Sequence, residues 1–258
     1  MLMNFPKLTP SPGKKLLIVG GCGGIGRAVM RGALDYGLEV AIFDLPRAIE
    51  KFPPPTSVPC WTVDAQQTEA LAKAMQELVG EWKHIDFLVN LAGYITNFGP
   101  IRDFESEEWK SMQDGNLYPT LFACQQAIPH IRPGGAIVNM SSGLGFGGRP
   151  GYGPYSLAKA GLVSLTKTLA SELAPDIRVN VVAPGAVQTA FLSGGLGHDG
   201  DEGLPPKRVD LEAYKRIVPL GTVARPEEIA APILFLLGEG ASHITGQTLH
   251  INGGAMMV

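Results

Sequence analysis

Short apolar runs alternate with segments of helical spacing along almost the whole chain, and this alternation most limits how the chain can fold. The runs are rich in branched residues, as strands buried on both faces are. They comprise residues 15–20, 40–43, 58–63, 85–90, 135–140, 177–182 and 247–251. Strands that alternate with helices of roughly 10–20 residues indicate βαβ units. We therefore predict an α/β protein, a doubly wound, Rossmann-like parallel sheet of about seven strands with helices on both faces.

Two stretches break this alternation. Residues 46–59 contain five prolines, so the helix after the second strand should be short or missing. Residues 190–210 are rich in glycine and have no apolar period, which is typical of a lid or a disordered loop. We predict a substrate lid over residues 190–215. No shift of composition marks a second domain, so we expect one domain over residues 1–258.

Composition excludes several classes of protein. Apolar residues make up 45% and charged residues 17%, with a net charge of −3, which excludes a disordered chain and disfavours nucleic acid as a partner. Cys22, Cys60 and Cys124 form no CxxC pair, and the histidines show no ligand spacing, so we expect reduced thiols and no metal site. No long uncharged apolar stretch occurs. We expect a soluble, cytoplasmic protein that does not enter a membrane.

A run of glycines joins the first strand to the helix that follows it. Residues 20–26 satisfy GxGxxG, GxxxGxG and GxxGxxG at once, so the run by itself does not fix a subtype. Glycines at this place allow a tight turn and let a pyrophosphate meet free N–H groups at the helix N-terminus. A turn kept only for packing is the alternative, but the position between strand and helix favours dinucleotide binding.

The second strand ends at Asp44, 18 residues after Gly26. A carboxylate there can accept hydrogen bonds from the adenosine ribose hydroxyls and would repel a 2′-phosphate. Cys22 and Gly23 in the turn are neutral, and Arg47 is the nearby cation. We therefore predict NAD as the cofactor in preference to NADP, although a solvated carboxylate at the strand end would give the same sequence.

Tyr155 and Lys159 stand four residues apart in YSLAK, which puts both side chains on one helix face. A tyrosine is a poor base near neutral pH unless a cation favours its phenolate, and Lys159 can supply that charge. Such a pair also occurs on ordinary helix surfaces, so its weight depends on the rest of the chain.

Further short sequence blocks accompany these two motifs. They are Asp64 at the third strand, NLAG at 90–93, Asn116, MSSGLG at 140–145, RVNVVAPGAVQT at 178–189, ARPEEIA at 224–230 and ITGQTLHINGG at 244–254. In this order and spacing, with 13 residues from Ser142 to Tyr155, the chain resembles the short-chain dehydrogenase/reductase family along nearly its whole length. It is similar to the shorter group of that family, which uses GxxxGxG. It departs from the family pattern at Val19 and Leu91, where threonine and asparagine are usual.

The resemblance implies a catalytic tetrad of Asn116, Ser142, Tyr155 and Lys159. Ser142 would bind the substrate oxygen, Tyr155 would exchange a proton with it, and Asn116 would hold a water linking Lys159 to solvent. Pro119 lacks an N–H and predicts a helix kink beside Asn116. The cofactor-binding residues implied, besides Tyr155 and Lys159, are Gly20, Cys22, Gly23, Gly24, Ile25, Gly26, Asp44, Asp64, Asn90, Ala92, Gly93, Pro184, Gly185, Val187 and Thr189.

The substrate pocket is predicted from the loops that follow the fourth and fifth strands and from the lid. Its expected wall residues are Tyr94, Leu144, Phe146, Tyr152 and Phe191. These walls are mainly apolar and suit a cyclic or bulky secondary alcohol or ketone better than a charged small molecule.

Three functions remain open from the sequence. The first is an NAD-dependent alcohol dehydrogenase or ketone reductase. The second is a 3-oxoacyl thioester reductase, which normally prefers NADPH and is disfavoured by Asp44. The third is a non-enzymatic NAD-binding scaffold, which would not need the complete tetrad. The family resemblance also implies a homo-oligomer, a tetramer or dimer formed by helices around 107–131 and 153–174.

Overall fold

A seven-stranded, all-parallel sheet forms the centre of the computed structural model, which describes residues 6–95, 98–193 and 210–258. The strands are β1 Lys15–Val19, β2 Glu39–Asp44, β3 Cys60–Thr62, β4 Ile85–Asn90, β5 Ile131–Met140, β6 Ile177–Pro184 and β7 Thr248–Ile251. Their order across the sheet is β3-β2-β1-β4-β5-β6-β7. The helices are α1 Gly24–Asp35, α2 Pro46–Lys51, α3 Thr68–Trp82, α4 Ser106–Asn116, α5 Tyr118–Ala127, α6 Gly153–Leu173, α7 Leu211–Ile217 and α8 Pro226–Leu237.

Both faces of the sheet are buried, which explains why its strands are continuous apolar runs. Leu16 and Ile18 of β1 point into a core cluster shared with α1 and α8. Leu17 and Val19 point into the opposite cluster, shared with α3, α5 and α6. Successive strand residues face opposite sides, so each strand supplies both clusters. The predicted fold, a doubly wound sheet with helices on both faces, is confirmed.

The order of the strands reverses next to β1, because the chain runs outward to β3 and then returns to place β4 on the other side of β1. The loops that follow β1 and β4 therefore diverge and leave a crevice at the carboxyl ends of the strands. Open α/β sheets bind their ligands in such a crevice.

The strand and helix limits differ from the sequence prediction at β3 and in the segment 107–131. The third strand is only Cys60–Thr62. The segment 107–131 forms two helices, α4 and α5, separated at Leu117 just before Pro119, so the kink predicted beside Asn116 is a complete break. The helix after β2 is short, as the prolines predict.

The predicted lid is described only at its two ends. Residues 190–193 form a short 3₁₀ turn. At the other end, residues 211–215 of the predicted lid belong to the helix α7. The helix forms because Asp210 caps it, its side chain accepting a hydrogen bond from the Ala213 N–H. Residues 194–209 lie outside the described residues.

Among the described helices, none is both long and apolar enough to span a bilayer. In the same part of the chain, no group of three or more potential ligand side chains could hold a metal ion.

Candidate active site

A cavity of about 630 Å³ lies at the carboxyl ends of β1, β2, β4, β5 and β6. One end is lined by the glycine turn, Asp44 and Asp64. The other end is lined by Ser142, Tyr155 and a group of apolar side chains. The cavity therefore lies in the crevice that the reversal of strand order creates.

The glycine turn leaves no room for side chains at its closest approaches. Gly20 has a φ of +86°, which a residue with a side chain rarely adopts. A Cβ on Gly26 would collide with the Gly20 carbonyl, so α1 packs directly on the turn. The N-terminus of α1, at Gly23 and Gly24, has no side-chain cap. Its free N–H groups and the positive end of its dipole fit a pyrophosphate group.

Asp44 lines the cavity beside this turn. Its carboxylate accepts hydrogen bonds from the backbone N–H of Cys22 at 2.7 Å and of Leu45 at 2.8 Å. Burial raises the pKa of Asp44, and these two N–H donors act against that rise. A carboxylate has about four acceptor sites, so Asp44 can still accept a hydrogen bond from a ribose hydroxyl of a dinucleotide.

Tyr155 and Lys159 lie one turn apart at the start of α6, and both are buried. The Lys159 Nζ lies 5.5 Å from the centre of the Tyr155 ring and donates a hydrogen bond to the Met140 carbonyl at 3.2 Å. Burial lowers the pKa of Lys159 to about 8. Burial also raises the pKa of Tyr155, opposed by a hydrogen bond with Ser142. Ser142 follows β5 and so brings its hydroxyl to the Tyr155 hydroxyl.

Asn116 ends α4, at the break before Pro119, and is fully buried. Its Oδ1 accepts a hydrogen bond from the Tyr94 N–H at 3.2 Å, and its Nδ2 donates to the Met112 carbonyl at 3.1 Å. A Cβ on Gly93 would lie 2.8 Å from the Asn116 Oδ1 and 3.2 Å from the Lys159 Nζ. Asn116 and Lys159 thus both lie against Gly93, although Asn116 is behind the cavity wall.

Most residues expected at the site line this cavity. They are Gly20, Gly23, Gly24, Ile25, Gly26, Asp44, Asp64, Ala92, Gly93, Ser142, Tyr155, Lys159, Pro184, Gly185, Val187 and Thr189, with Tyr94, Leu144, Tyr152 and Phe191 on the expected substrate side. Residues up to 171 positions apart in the sequence meet there, because the loops and helix starts that follow β1 to β6 all lie at the carboxyl edge of the sheet.

Besides Asn116, three expected residues do not line the cavity in the structure. Cys22 points its thiol into the core, and its backbone N–H serves Asp44. Asn90 is buried between β4 and β5, where its Nδ2 donates to the Asn139 Oδ1 at 2.9 Å. Phe146 packs edge-on against the His250 ring, with centroids 4.5 Å apart, on the far side of its loop.

The sequence interpretation missed Tyr214, Ile217 and Met256, which also line the cavity. Tyr214 and Ile217 belong to α7; Tyr214 falls within the stretch 190–215 that was predicted as a lid, and Ile217 lies two residues beyond it. The spacing of Leu211, Tyr214 and Ile217 is the signal that could have revealed this helix.

A family model described as enoyl-(acyl carrier protein) reductase matches residues 20–256. The fold is similar to the crystal structure of a short-chain dehydrogenase/reductase, a glucose/ribitol dehydrogenase from Brucella melitensis. The TM-score is 0.86 at 29% identity, over 97% of this chain and 99% of that one. The chain belongs to the short-chain dehydrogenase/reductase family. Membership makes it an oxidoreductase of the kind that uses a nicotinamide cofactor on CH–OH or ketone groups.

Relatives within this family carry different substrate names. A 3-oxoacyl-[acyl-carrier-protein] reductase of Thermotoga maritima is 34% identical over 254 residues, which is 95% of this chain and 98% of the relative. A 2,3-dihydro-2,3-dihydroxybenzoate dehydrogenase of Escherichia coli is 34% identical over 248 residues, again 95% and 98%. Equal identity to a thioester reductase and to a cyclic diol dehydrogenase leaves the substrate class to be argued from the site.

Proposed function

We propose that this protein transfers hydride between NAD and a bulky, apolar secondary alcohol or the corresponding ketone. The single observation that carries the proposal is the meeting of the Tyr155 and Ser142 hydroxyls with the Lys159 ammonium at one end of a cavity whose other end is the glycine turn and Asp44. A binding module has no use for these three polar groups side by side.

The roles follow from the chemistry of each group. Ser142 hydrogen-bonds the substrate oxygen and holds it beside Tyr155. The Tyr155 hydroxyl gives a proton to that oxygen in the reductive direction and takes it back in the oxidative direction. Because burial raises its pKa, Tyr155 is protonated and ready to donate. The nicotinamide ring, when bound, supplies or accepts the hydride.

Lys159 and Asn116 support this proton transfer. The Lys159 ammonium lies 5.5 Å from the centre of the Tyr155 ring and favours the phenolate that forms when Tyr155 has given up its proton. Asn116 fixes the Tyr94 backbone and lies on the same side of Gly93 as the ammonium. We propose that Asn116 positions the route by which Lys159 exchanges protons with water.

Asp44 supports NAD rather than NADP. A 2′-phosphate beside this carboxylate would face a like charge, and in the described part of the chain the lining next to Asp44 carries no lysine or arginine. The expected cation, Arg47, does not line the cavity.

The substrate end of the cavity is mostly apolar. Tyr94, Leu144 and Phe191 form its walls together with Ile95 and Phe98. Such walls bind a ring or a bulky hydrocarbon by removing its surface from water. This supports a cyclic or otherwise bulky substrate, as in the name of the Escherichia coli relative.

Reduction of a 3-oxoacyl thioester with NADPH is the second candidate. The name of the Thermotoga maritima relative favours it, as does the family model, whose description also refers to acyl carrier protein. Tyr155, Ser142 and Lys159 serve this reaction equally well, because it too reduces a ketone. The negative charge of Asp44 disfavours this candidate, because it would face the 2′-phosphate of NADPH.

We also propose a homo-oligomeric assembly and a cytoplasmic location. Leu157 on α6 is 54% exposed and Tyr118 on α5 is 39% exposed, which supports the pairing of these helices in a homo-oligomer. Cys22, Cys60 and Cys124 are all free thiols, which supports a cytoplasmic location.

The test measures initial rates with each cofactor on two substrate panels, cyclic secondary alcohols with their ketones and 3-oxoacyl thioesters such as acetoacetyl-CoA. We expect the highest kcat/KM with NAD(H) on the cyclic panel. A preference for NADPH with the thioester would establish the second candidate instead. The Tyr155→Phe variant should lose at least about 100-fold in kcat while it still binds NADH, since proton transfer contributes that much. Full activity of this variant would overturn both candidates.

A further inference from the structure

Tyr94 is attached to helix α4 at three points. It lies just beyond the carboxyl end of β4, and its backbone N–H donates a hydrogen bond to the Asn116 Oδ1 at 3.2 Å. Its ring covers Gly115, where a Cβ would collide with the Tyr94 Cε1. Its hydroxyl lies 2.8 Å from the Ser111 carbonyl oxygen and 2.7 Å from the Ser111 Oγ. The buried Tyr94 side chain is therefore packed on α4 as well as lining the cavity.

The Tyr94 hydroxyl is used on both its donor and its acceptor side. A phenol has one hydrogen to donate, and this hydrogen bonds the Ser111 carbonyl. The Ser111 hydroxyl then donates to the phenol oxygen, since the phenol has no second hydrogen. Both bonds end on one residue of α4. The Tyr94 hydroxyl therefore serves to hold the helix, and its hydrogen is not available to a substrate.

The contacts of Tyr94 span the last turn of α4. Ser111 and Gly115 are four residues apart and lie on one face of the helix, and Asn116 is its last residue. The helix ends there because Pro119 has no N–H with which to continue the hydrogen-bond ladder. Helix ends open most easily when nothing packs on them. Tyr94 thus stabilises the turn that carries Asn116.

The position of this turn matters to Lys159. A Cβ on Gly93 would lie 2.8 Å from the Asn116 Oδ1 and 3.2 Å from the Lys159 Nζ, so Gly93 separates the two side chains with no spare room. Gly93 is joined directly to Tyr94 in the chain. A shift of Tyr94 therefore changes the spacing between Asn116 and Lys159.

We propose that Tyr94 is a positioning residue, whose hydroxyl bonds to Ser111 and so holds Asn116 in place behind Lys159. The effect on catalysis rests on the proposed hydride transfer and on the proposed role of Asn116 in proton exchange. The attachment of Tyr94 to α4 stands on the contacts alone.

The experiment compares full-length variants that change single contacts. Tyr94→Phe removes the hydroxyl but keeps the ring over Gly115 and the backbone N–H. Ser111→Ala removes the Oγ and keeps the carbonyl, and the double variant removes both hydroxyls. Tyr36→Phe is the matched control, because Tyr36 is exposed at the end of α1.

Two measurements are made on each protein. The first is kcat and KM for the reduction of a cyclic ketone with NADH, in H2O and in D2O, because slower proton exchange increases the solvent isotope effect on kcat. The second is hydrogen exchange of the residue 94 amide, which reports on its bond to Asn116 in the absence of any substrate.

We expect kcat of Tyr94→Phe to fall about threefold to tenfold, as for the loss of a neutral hydrogen bond, with a larger solvent isotope effect. The KM for NADH should change by less than about twofold, because cofactor contacts stay intact. The residue 94 amide should exchange at least about tenfold faster. Ser111→Ala should show a smaller effect, and the double variant should match Tyr94→Phe, since both changes break one contact. Tyr36→Phe should match the wild type.

An active wild type with an unchanged solvent isotope effect in Tyr94→Phe would overturn the positioning role, whether or not kcat falls, and would leave the proposed function standing. A wild type that reduces no ketone would overturn the proposed function. The amide exchange then decides whether Tyr94 holds Asn116: an unchanged rate in Tyr94→Phe overturns that contact, and a faster rate supports it.

Discussion

The Tyr214 hydroxyl accepts a hydrogen bond from the backbone N–H of Ala186, with 3.0 Å between nitrogen and oxygen. This contact ties α7 to the turn that follows β6. A Cβ on Gly185 would collide with the same hydroxyl and would lie 3.2 Å from the Asn252 Cα. The turn is therefore held between Tyr214 and the segment after β7, at the place where Val187 and Thr189 are proposed to meet the nicotinamide end of the cofactor.

Replacement of Tyr214 by phenylalanine should weaken cofactor binding. The Ala186 N–H would lose its acceptor, which costs about 1–3 kcal/mol for a buried group, and the turn would loosen. We expect the KM for NAD to rise several-fold, with a smaller change in kcat. Initial-rate kinetics measure both, and Tyr36→Phe, an exposed site at the end of α1, is the control. An unchanged KM in Tyr214→Phe would show that the turn is held by its other contacts.

Lys159 should lower the free energy of unfolding of the wild-type protein near neutral pH. Burial lowers its pKa to about 8, so near neutral pH the folded protein holds an ammonium in a site that disfavours the charge. Replacement by methionine, which has a similar length, should raise the free energy of unfolding at pH 7 by up to roughly 3 kcal/mol, at about 1.4 kcal/mol per pKa unit. The same variant should lose at least about 100-fold in kcat.

The difference in free energy of unfolding between Lys159→Met and the wild type should depend on pH in a defined direction. Between pH 8 and the ordinary lysine range, the unfolded chain keeps the proton that folded Lys159 has lost, so the wild type gains stability as the pH rises. The stability advantage of Lys159→Met should therefore shrink through that window. Denaturant unfolding of both proteins at pH 7 and above pH 9 measures it. An advantage that stays constant would mean that Lys159 does not titrate there.

The parallel sheet was predictable because its signal is local. Each apolar run and each following helical segment is visible within about 20 residues, and the crossover rule then leaves few topologies. The break at Leu117 was predictable for the same reason, because Pro119 acts on its own helix. Most of the cavity residues were implied by the family resemblance, and their meeting at one place agrees with ligand binding at the carboxyl ends of the strands.

What escaped prediction depends on which way a side chain turns within a loop or across the sheet. Phe146 and Leu144 are two residues apart in one loop, yet only Leu144 faces the cavity. Cys60 is brought beside Ile42 by the pairing of β2 and β3, which no pattern near either residue reveals. Likewise, no local pattern reveals that Tyr214 contacts Ala186, which lies 28 residues away in the sequence.

Two glycine-to-alanine variants separate packing from backbone freedom. At Gly26 a Cβ would collide with the Gly20 carbonyl, a backbone atom that cannot move away cheaply. We expect Gly26→Ala to lower the free energy of unfolding by at least about 1–3 kcal/mol and to abolish NADH binding.

Gly80 is the matched control, since it lies within α3 with nothing near its missing Cβ. Gly80→Ala should raise the free energy of unfolding by about 0.5–1 kcal/mol because alanine is the better helix former. Denaturant unfolding and NADH fluorescence measure both variants. Equal behaviour of the two would contradict the close packing of α1 on the turn.

Asp44 should control the choice between NAD and NADP through its charge. The variant Asp44→Asn keeps the size of the side chain and removes the like charge that a 2′-phosphate would face. It also loses one acceptor, because an amide nitrogen accepts no hydrogen bond and so leaves either the Cys22 or the Leu45 N–H without its carboxylate partner. We expect a lower kcat/KM for NAD and a higher one for NADP, so that their ratio falls at least about tenfold. Asp64→Asn is the control at the same end of the cavity, where a loss should affect both cofactors and leave the ratio unchanged. If the two variants change the ratio equally, the selectivity does not come from the charge of Asp44.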